Sequence, residues 1–199
     1  MKSKISVIIP LHNVEKELAA LAIDCLEMAG DMASGCEIIL VDDASSDATC
    51  DIAENLSLEY PQIKVLSQWQ SGGTAAAVLK GLQQADGNLL YVYYVSSGHA
   101  FPQISLYYEA MSFTDAVLGY FANDTKRFLG MAMFKRRIFQ TLGDRVTHPE
   151  ELVSLMKKSQ IRYLELRYEA ESELSSDNAH QIKKPVFGGR VSRPATFTS

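Results

Sequence analysis

The sequence predicts an α/β domain built on a mainly parallel central sheet. Short apolar, β-branched runs of strand length recur through the first half. Segments with helical apolar spacing separate them, and Gly, Pro, Asp and Ser clusters mark the junctions. With 199 residues, 47% of them hydrophobic, the chain is long enough to bury one sizeable core, and a single domain is the default expectation.

The elements follow in order. Ile5 to Pro10 is a continuous β-branched run, and Val14, Leu18, Leu21, Cys25 and Met28 then step by fours and threes along a helix. Glu37 to Val41 is a second buried strand. After Asp42 and Asp43, the Ser45-Ser46-Asp47 cluster offers N-cap chemistry for a helix toward Tyr60-Pro61. Ile63 to Leu66 is a third strand. Gly72-Gly73 breaks the chain before a helix through Ala76, Leu79, Leu82 and Ala85 that stops at Gly87, and Leu89 to Val95 is a fourth strand. Strand and helix alternating this regularly imply right-handed crossovers, with ligands beyond the strands' carboxyl ends. The second half is less regular. Strands are expected at 116–119, 128–133 and 161–168, and helices at 135–142 and 149–158. From Glu169 an acidic, Ser-rich stretch leads into a Lys, Arg, Gly and Pro-containing tail, so the domain is expected over 1–168 and a flexible tail over 169–199.

A formal net charge of -5 gives no basic footprint for nucleic acid. The N-terminal apolar run meets Pro10 too early for a signal peptide, and no stretch approaches the roughly 20 apolar residues of a membrane span. Cys25, Cys36 and Cys50 lack metal-ligand spacing and read as reduced structural thiols, so a cytoplasmic location is expected.

Two constellations fall where the sheet offers its binding edge. The first strand ends Pro10-Leu11-His12-Asn13, in which His12 can stack on a nucleobase or simply be exposed while Asn13 caps the next helix. The second strand ends Asp42-Asp43-Ala44-Ser45-Ser46-Asp47. Its paired carboxylates suit a base N–H or a ribose hydroxyl, or else only organise the turn.

Together with Gly73-Thr74-Ala75-Ala76-Ala77-Val78-Leu79-Lys80-Gly81-Leu82 and Ala85-Asp86-Gly87, these segments resemble the family 2 glycosyltransferases of GT-A fold, a Rossmann-like three-layer sandwich. The likeness covers roughly the first half, in order and spacing. It implies that Pro10, His12, Asp42 and Asp43 hold the base and ribose of a nucleotide sugar, with Lys80 near the phosphates. The pattern from Gly87 through His99 to Pro102 is most similar to the polyprenyl and dolichol-phosphate sugar synthases. By that resemblance the fourth strand should end Asp-x-Asp-x-Gln-His and hold magnesium or manganese. Here the aligned residues are Tyr94, Ser96 and Gly98, followed by a matching His99. A phenol, a hydroxyl and a glycine do not supply the charge a hard divalent ion needs, so loss of the metal is expected and His99 reads as a hydrogen-bonding residue.

Other departures follow. Leu79 and Phe121 stand where the family has Arg, and the acceptor-facing segment after Phe121 is short. Lys80, Lys126, Arg127 and Lys135 are the candidates for neutralising a departing diphosphate, although Lys135-Arg136-Arg137 also reads as a solvated helix face. Glu150 and Glu151 echo the acidic pair that supplies the family's catalytic base. They equally suit the first turn of a helix through its macrodipole.

Two functions compete: a metal-independent or very weak sugar transferase, and a catalytically silent relative that binds a nucleotide or a partner such as a working glycosyltransferase, or a second copy of itself. A dinucleotide oxidoreductase is disfavoured because the first strand-to-helix turn lacks G-x-G-x-x-G. A phospho-receiver domain needs an acid after the third strand, where Leu66-Ser67-Gln68 stands.

Overall fold

The computed structural model describes residues 3–95, 104–121, 131–142, 149–159 and 161–168. The expected tail over 169–199 lies outside the described residues. Thirteen elements follow one another: β1 (Lys4–Leu11), α1 (Leu18–Met32), β2 (Gly35–Asp42), α2 (Thr49–Glu59), β3 (Ile63–Ser67), α3 (Gly73–Gln84), β4 (Leu89–Val92), α4 (Ile104–Ala110), β5 (Ala116–Phe121), β6 (Ala132–Lys135), α5 (Arg136–Leu142), α6 (Pro149–Lys158) and β7 (Tyr163–Tyr168).

They form a seven-stranded sheet of order β3-β2-β1-β4-β6-β5-β7. Only β6 runs antiparallel to its neighbours, β4 and β5. The mainly parallel sheet is therefore as expected. Period-two alternation along β1 explains the two cores. Ile5, Val7, Ile9 and Leu11 meet α1, α2 and α4 through Leu18, Cys25, Ala53 and Tyr107. Ile8 points the other way and packs with Ala77 and Val78 of α3, Ile138 of α5 and Met156 of α6. Helices on both faces make the three layers.

Several boundaries differ from the sequence reading. The fourth strand stops at Val92 rather than Val95, and the sixth runs over Ala132–Lys135, with residues 122–130 outside the description. Helix α4 was not expected, although Ile104, Tyr107 and Met111 have helical spacing and are all buried. Its seven residues are too few for a clear period.

Beneath the amino ends of the strands a buried polar staple joins β1, β2 and the turn before β4. Glu37, 3% exposed, accepts hydrogen bonds from the Ser6 hydroxyl, from the Asp86 N–H at 2.8 Å and from Lys64 Nζ at 2.6 Å. Ser6 Oγ in turn accepts the Gly87 N–H at 2.8 Å. Helix α3 ends at Gln84, with Ala85 at its C-cap, rather than at Gly87. A Cβ on residue 87 would lie 2.6 Å from Ser6 Oγ and 2.7 Å from its backbone nitrogen, so this glycine is there for close approach. Burial alone pushes the Glu37 carboxyl up, but the bonds from Lys64, Ser6 and Asp86 outweigh it and bring its pKa down to about 2. A second ion cluster lies at the same edge. Asp115 receives Lys135 Nζ at 2.6 Å, Arg137 Nη2 at 2.8 Å and Arg162 Nε at 3.3 Å.

Candidate functional site

The order β3-β2-β1-β4 reverses direction at β1. The chain winds outward from β1 to β3, then returns to β4 on the other side of β1. A parallel sheet opens a crevice at such a point, beyond the strands' carboxyl ends. Pro10 helps to open it. The last β1–β4 pair is Ile8 with Val92, and the Tyr93 N–H still bonds Ile8 O at 3.0 Å. Two residues on, the backbone of Pro10 has the same phase but no N–H, so the ladder cannot continue there.

On the β2 side, the loops after β1 and β2 lock together. Asn13, at φ 55°, accepts the Ser46 N–H on its side-chain oxygen at 2.8 Å and donates its own N–H to Ser45 Oγ at 3.0 Å. The Val14 N–H bonds Thr49 Oγ1 at 2.8 Å, and the Ala48 N–H bonds Glu15 at 3.0 Å. Asn13 therefore does not cap α1, which starts at Leu18 with no side-chain cap. Asp47 does serve the start of α2, accepting the Thr49 N–H at 3.0 Å, although the N-cap position itself is Ala48.

Asp42 and Asp43 are 3% and 4% exposed, but their carboxylates are used differently. Asp43 holds the segment after β3. Its two oxygens accept Ser71 Oγ at 2.7 Å, the Gly72 N–H at 2.8 Å, the Gly73 N–H at 2.9 Å and Gln68 Nε2 at 3.1 Å. Those four bonds fill the ordinary acceptor capacity of a carboxylate. Asp42 Oδ2 accepts only the Ser45 N–H, at 3.3 Å, while its Oδ1 is buried with no hydrogen-bond partner among the described residues. A buried acceptor without a partner costs about 1–3 kcal/mol, which a donor brought by a ligand would recover.

His12 is exposed beside this pair, with Nδ1 3.0 Å from the Asp43 carbonyl oxygen. A carbonyl only accepts, so Nδ1 carries the proton. Nε2 then faces Asn13 Nδ2 at 3.4 Å. Lys80, in the second turn of α3, reaches the same edge and donates to Ser67 O at 2.8 Å.

Pro10, His12, Asp42, Asp43 and Lys80 thus share one edge of the sheet. Tyr94 lies just beyond β4 and is half-buried, while Ser96, Gly98 and His99 fall outside the described residues. Among the described residues no group of three or more His, Cys, Asp or Glu is arranged to hold a metal ion. Helix α6 runs down to the start of β7, which is parallel to β5, so its first turn, with Glu150 and Glu151, points toward the carboxyl edge. Glu151 is exposed, and the side chain of Glu150 lies outside the description. Lys126 and Arg127 also fall outside it. Lys135 corrects the sequence reading. It ends the antiparallel β6 opposite Leu89, at the amino edge, and is paired with Asp115. A reversed strand delivers its last residue to the edge away from the site.

Sequence reasoning missed the residues that organise the site: Gln68, Ser71, Gly72 and Gly73 as donors to Asp43, and the cross-links of 13–15 with 45–49. The Gly72-Gly73 pair was a visible signal, read only as a helix start. Gly73 has φ 81°, which favours glycine.

Comparison with known proteins agrees with this architecture. Over 91 residues the chain is 35% identical to the dolichol-phosphate mannosyltransferase of Pyrococcus furiosus, covering 45% of this chain and 24% of that protein. Over 93 residues it is 39% identical to the cholesterol galactosyltransferase of Borreliella burgdorferi, covering 47% and 24%. The matches thus span about a quarter of the length of those curated relatives. Among solved structures, glucosyl-3-phosphoglycerate synthase from Mycobacterium tuberculosis, in complex with Mn2+ and UDP-glucose, superposes with a TM-score of 0.62 at 14% identity, over 88% of this chain and 73% of that one. Residues 1–349 of Staphylococcus aureus TarS, in complex with UDP-GlcNAc, superpose with a TM-score of 0.57 at 19% identity, over 86% and 60%. These likenesses establish a GT-A fold. The profile of Glycosyl transferase family 2 matches residues 6–153 of the 199, well over half the chain, and the protein belongs to that family.

Proposed function

We propose that the carboxyl edge of β1, β2 and β3 holds the nucleoside of a nucleotide sugar, and that sugar transfer by this chain is metal-independent or very weak. The observation that carries this reading is the unpartnered, buried Oδ1 of Asp42 at the topological switch point. A base N–H or a ribose hydroxyl supplies the missing donor. Pro10 keeps the crevice open, His12 offers a ring face, and Asp43 acts indirectly by fixing the segment around it. Lys80 has two further N–H donors beyond its bond to Ser67 and suits a phosphate. Glu150 or Glu151 is the candidate base. The support from relatives is that proteins of the same fold were solved with UDP-glucose and UDP-GlcNAc.

The stretch Tyr94-Val95-Ser96-Ser97-Gly98-His99 contains no carboxylate. Magnesium and manganese take several oxygen ligands, usually with carboxylates among them, so this donor set does not fit the ion the family resemblance implies. The same observation favours a second reading, a catalytically silent relative that binds a nucleotide in support of a partner enzyme or a second copy. Without the ion, charge on the departing diphosphate falls to Lys and Arg side chains.

Calorimetric titration and thermal shift with UDP- and GDP-sugars, with and without manganese, test the binding. Asp42→Ala should weaken it by about 1–3 kcal/mol, and manganese should leave the melting temperature flat. Affinity indifferent to Asp42→Ala would place the nucleotide elsewhere. Release of nucleoside diphosphate in EDTA separates the two functional readings. Turnover of about 1 per second or faster that Glu150→Gln or Glu151→Gln abolishes establishes a transferase, and its absence with binding intact favours the silent relative.

A further inference from the structure

We propose that Trp69 is a stacking wall of the nucleoside site, facing His12 across Asp42. The inference rests on the nucleotide reading above and adds a recognition element to it. Trp69 is the chain's single tryptophan, and at 101% relative exposure its ring packs against nothing. One exposed aromatic is ordinary on a protein surface. What sets this one apart is its frame. Gln68, directly before it, donates its backbone N–H to Asp42 O at 3.0 Å and its side-chain amide to Asp43 at 3.1 Å. Ser71, Gly72 and Gly73, just after it, donate to the same Asp43 carboxylate. The indole therefore sits on a segment fastened at both ends to one buried acid.

Its place in the sheet completes the arrangement. Asp42 pairs with Ser67 on β3 and with Leu11 on β1. One strand spacing sideways and two residues along put the Trp69 backbone within roughly 9 Å of Asp42. With the order β3-β2-β1, Trp69 stands on one side of the unpartnered Asp42 Oδ1 and the exposed His12 on the other. An aromatic residue on the strand to each side of one acceptor suits a flat heterocycle that stacks by its face and donates an N–H from its edge. Every base has a π-face, so the stacking adds affinity without choosing among bases.

Because the chain has a single tryptophan, its fluorescence, excited at the red edge where tyrosine does not absorb, reads this position alone. UDP and GDP are titrated into the full chain by fluorescence and, in parallel, by calorimetry, with ribose 5-phosphate as the base-free control. The expected result is a saturable change in Trp69 emission with the calorimetric Kd and no change with ribose 5-phosphate. Trp69→Ala should weaken calorimetric binding by about tenfold, and Trp69→Phe should restore most of it. Nucleotide heat that Asp42→Ala removes, with Trp69 emission unmoved and Trp69→Ala binding normally, overturns the stacking wall and leaves the nucleotide reading standing. An equal response to ribose 5-phosphate also overturns it. No heat with either nucleotide overturns both.

Discussion

Acidification should unfold this protein partly through one carboxylate, and Glu37→Gln should remove that part. Glu37 is nearly inaccessible beneath the sheet, and against the upward push of burial its pKa is brought from the ordinary 4.5 down to about 2 by Lys64, Ser6 and the Asp86 N–H. A group depressed on folding adds stability that is full above its unfolded pKa and is lost as the pH falls toward the folded value. The window here therefore runs from about pH 5 down to about pH 2. At about 1.4 kcal/mol per unit, the contribution at neutral pH is on the order of 3 kcal/mol. Glutamine keeps the shape and one acceptor but not the charge that Lys64 meets. Glu37→Gln should therefore be about 2–3 kcal/mol less stable than wild type at neutral pH. The gap should close to within about 1 kcal/mol near pH 3, where Glu37 of wild type takes up a proton on unfolding and part of the stabilisation is lost. Urea unfolding of both proteins across this range, followed by circular dichroism, measures the difference with other carboxylates cancelling. Parallel stability curves at all pH values would refute the argument and show that the staple does not depend on the charge of Glu37.

Asp43→Ala leaves the Gly72 and Gly73 N–H groups without their acceptor. It should cost about 2–4 kcal/mol and speed amide exchange in 68–73 while α1 stays protected, as hydrogen exchange would record. Ala44 sits at φ 56° without being glycine. Ala44→Gly should raise stability by about 0.5–1 kcal/mol in thermal unfolding, because relief of about 1–2 kcal/mol of left-handed strain exceeds the entropic cost of glycine. A Cβ on Gly81 would lie 2.4 Å from Ile8 Cγ2 and 3.2 Å from Val41 Cγ2. Gly81→Ala should thus push α3 off the sheet and cost about 1–3 kcal/mol, and an unchanged melting temperature would show that α3 has room to shift.

The first half of the fold was legible because each signal there is local and strong. The β1 run Ile5-Ser6-Val7-Ile8-Ile9 buries both faces, and the Gly, Pro and Asp punctuation falls at the turns. Asp42 was identifiable at a strand end, but its difference from Asp43 was not. That difference depends on Gln68, Ser71, Gly72 and Gly73 arriving from a loop some 25–30 residues away, which no spacing rule encodes. The same holds for Asn13, whose cap-like identity serves a cross-loop bond to Ser46 instead. In the second half, short elements defeat periodicity. Helix α4 has two turns, and β6 has four residues and reverses direction, so Lys135 falls on the edge opposite the one a parallel reading gives it.

The interlocked loops have a kinetic consequence. The described partners of Asn13, Asp43 and Thr49 all lie between residues 11 and 73, so the carboxyl edge of β1 and β2 is wired within a segment that leaves the ribosome before β4 to β7. The pairings β1–β2 and β2–β3 each close through a single crossover helix. Loop closures of that length carry modest entropy, and domains assemble from the N-terminal side during synthesis. By contrast, β4 must reach past two strands to join β1, and β6 must insert between β4 and a β5 made before it. The slow step of folding therefore belongs to the half of the sheet away from Asp42. A chain stalled there would already carry the interlocked loops beyond β1 and β2 while its remaining strands are still searching for their partners.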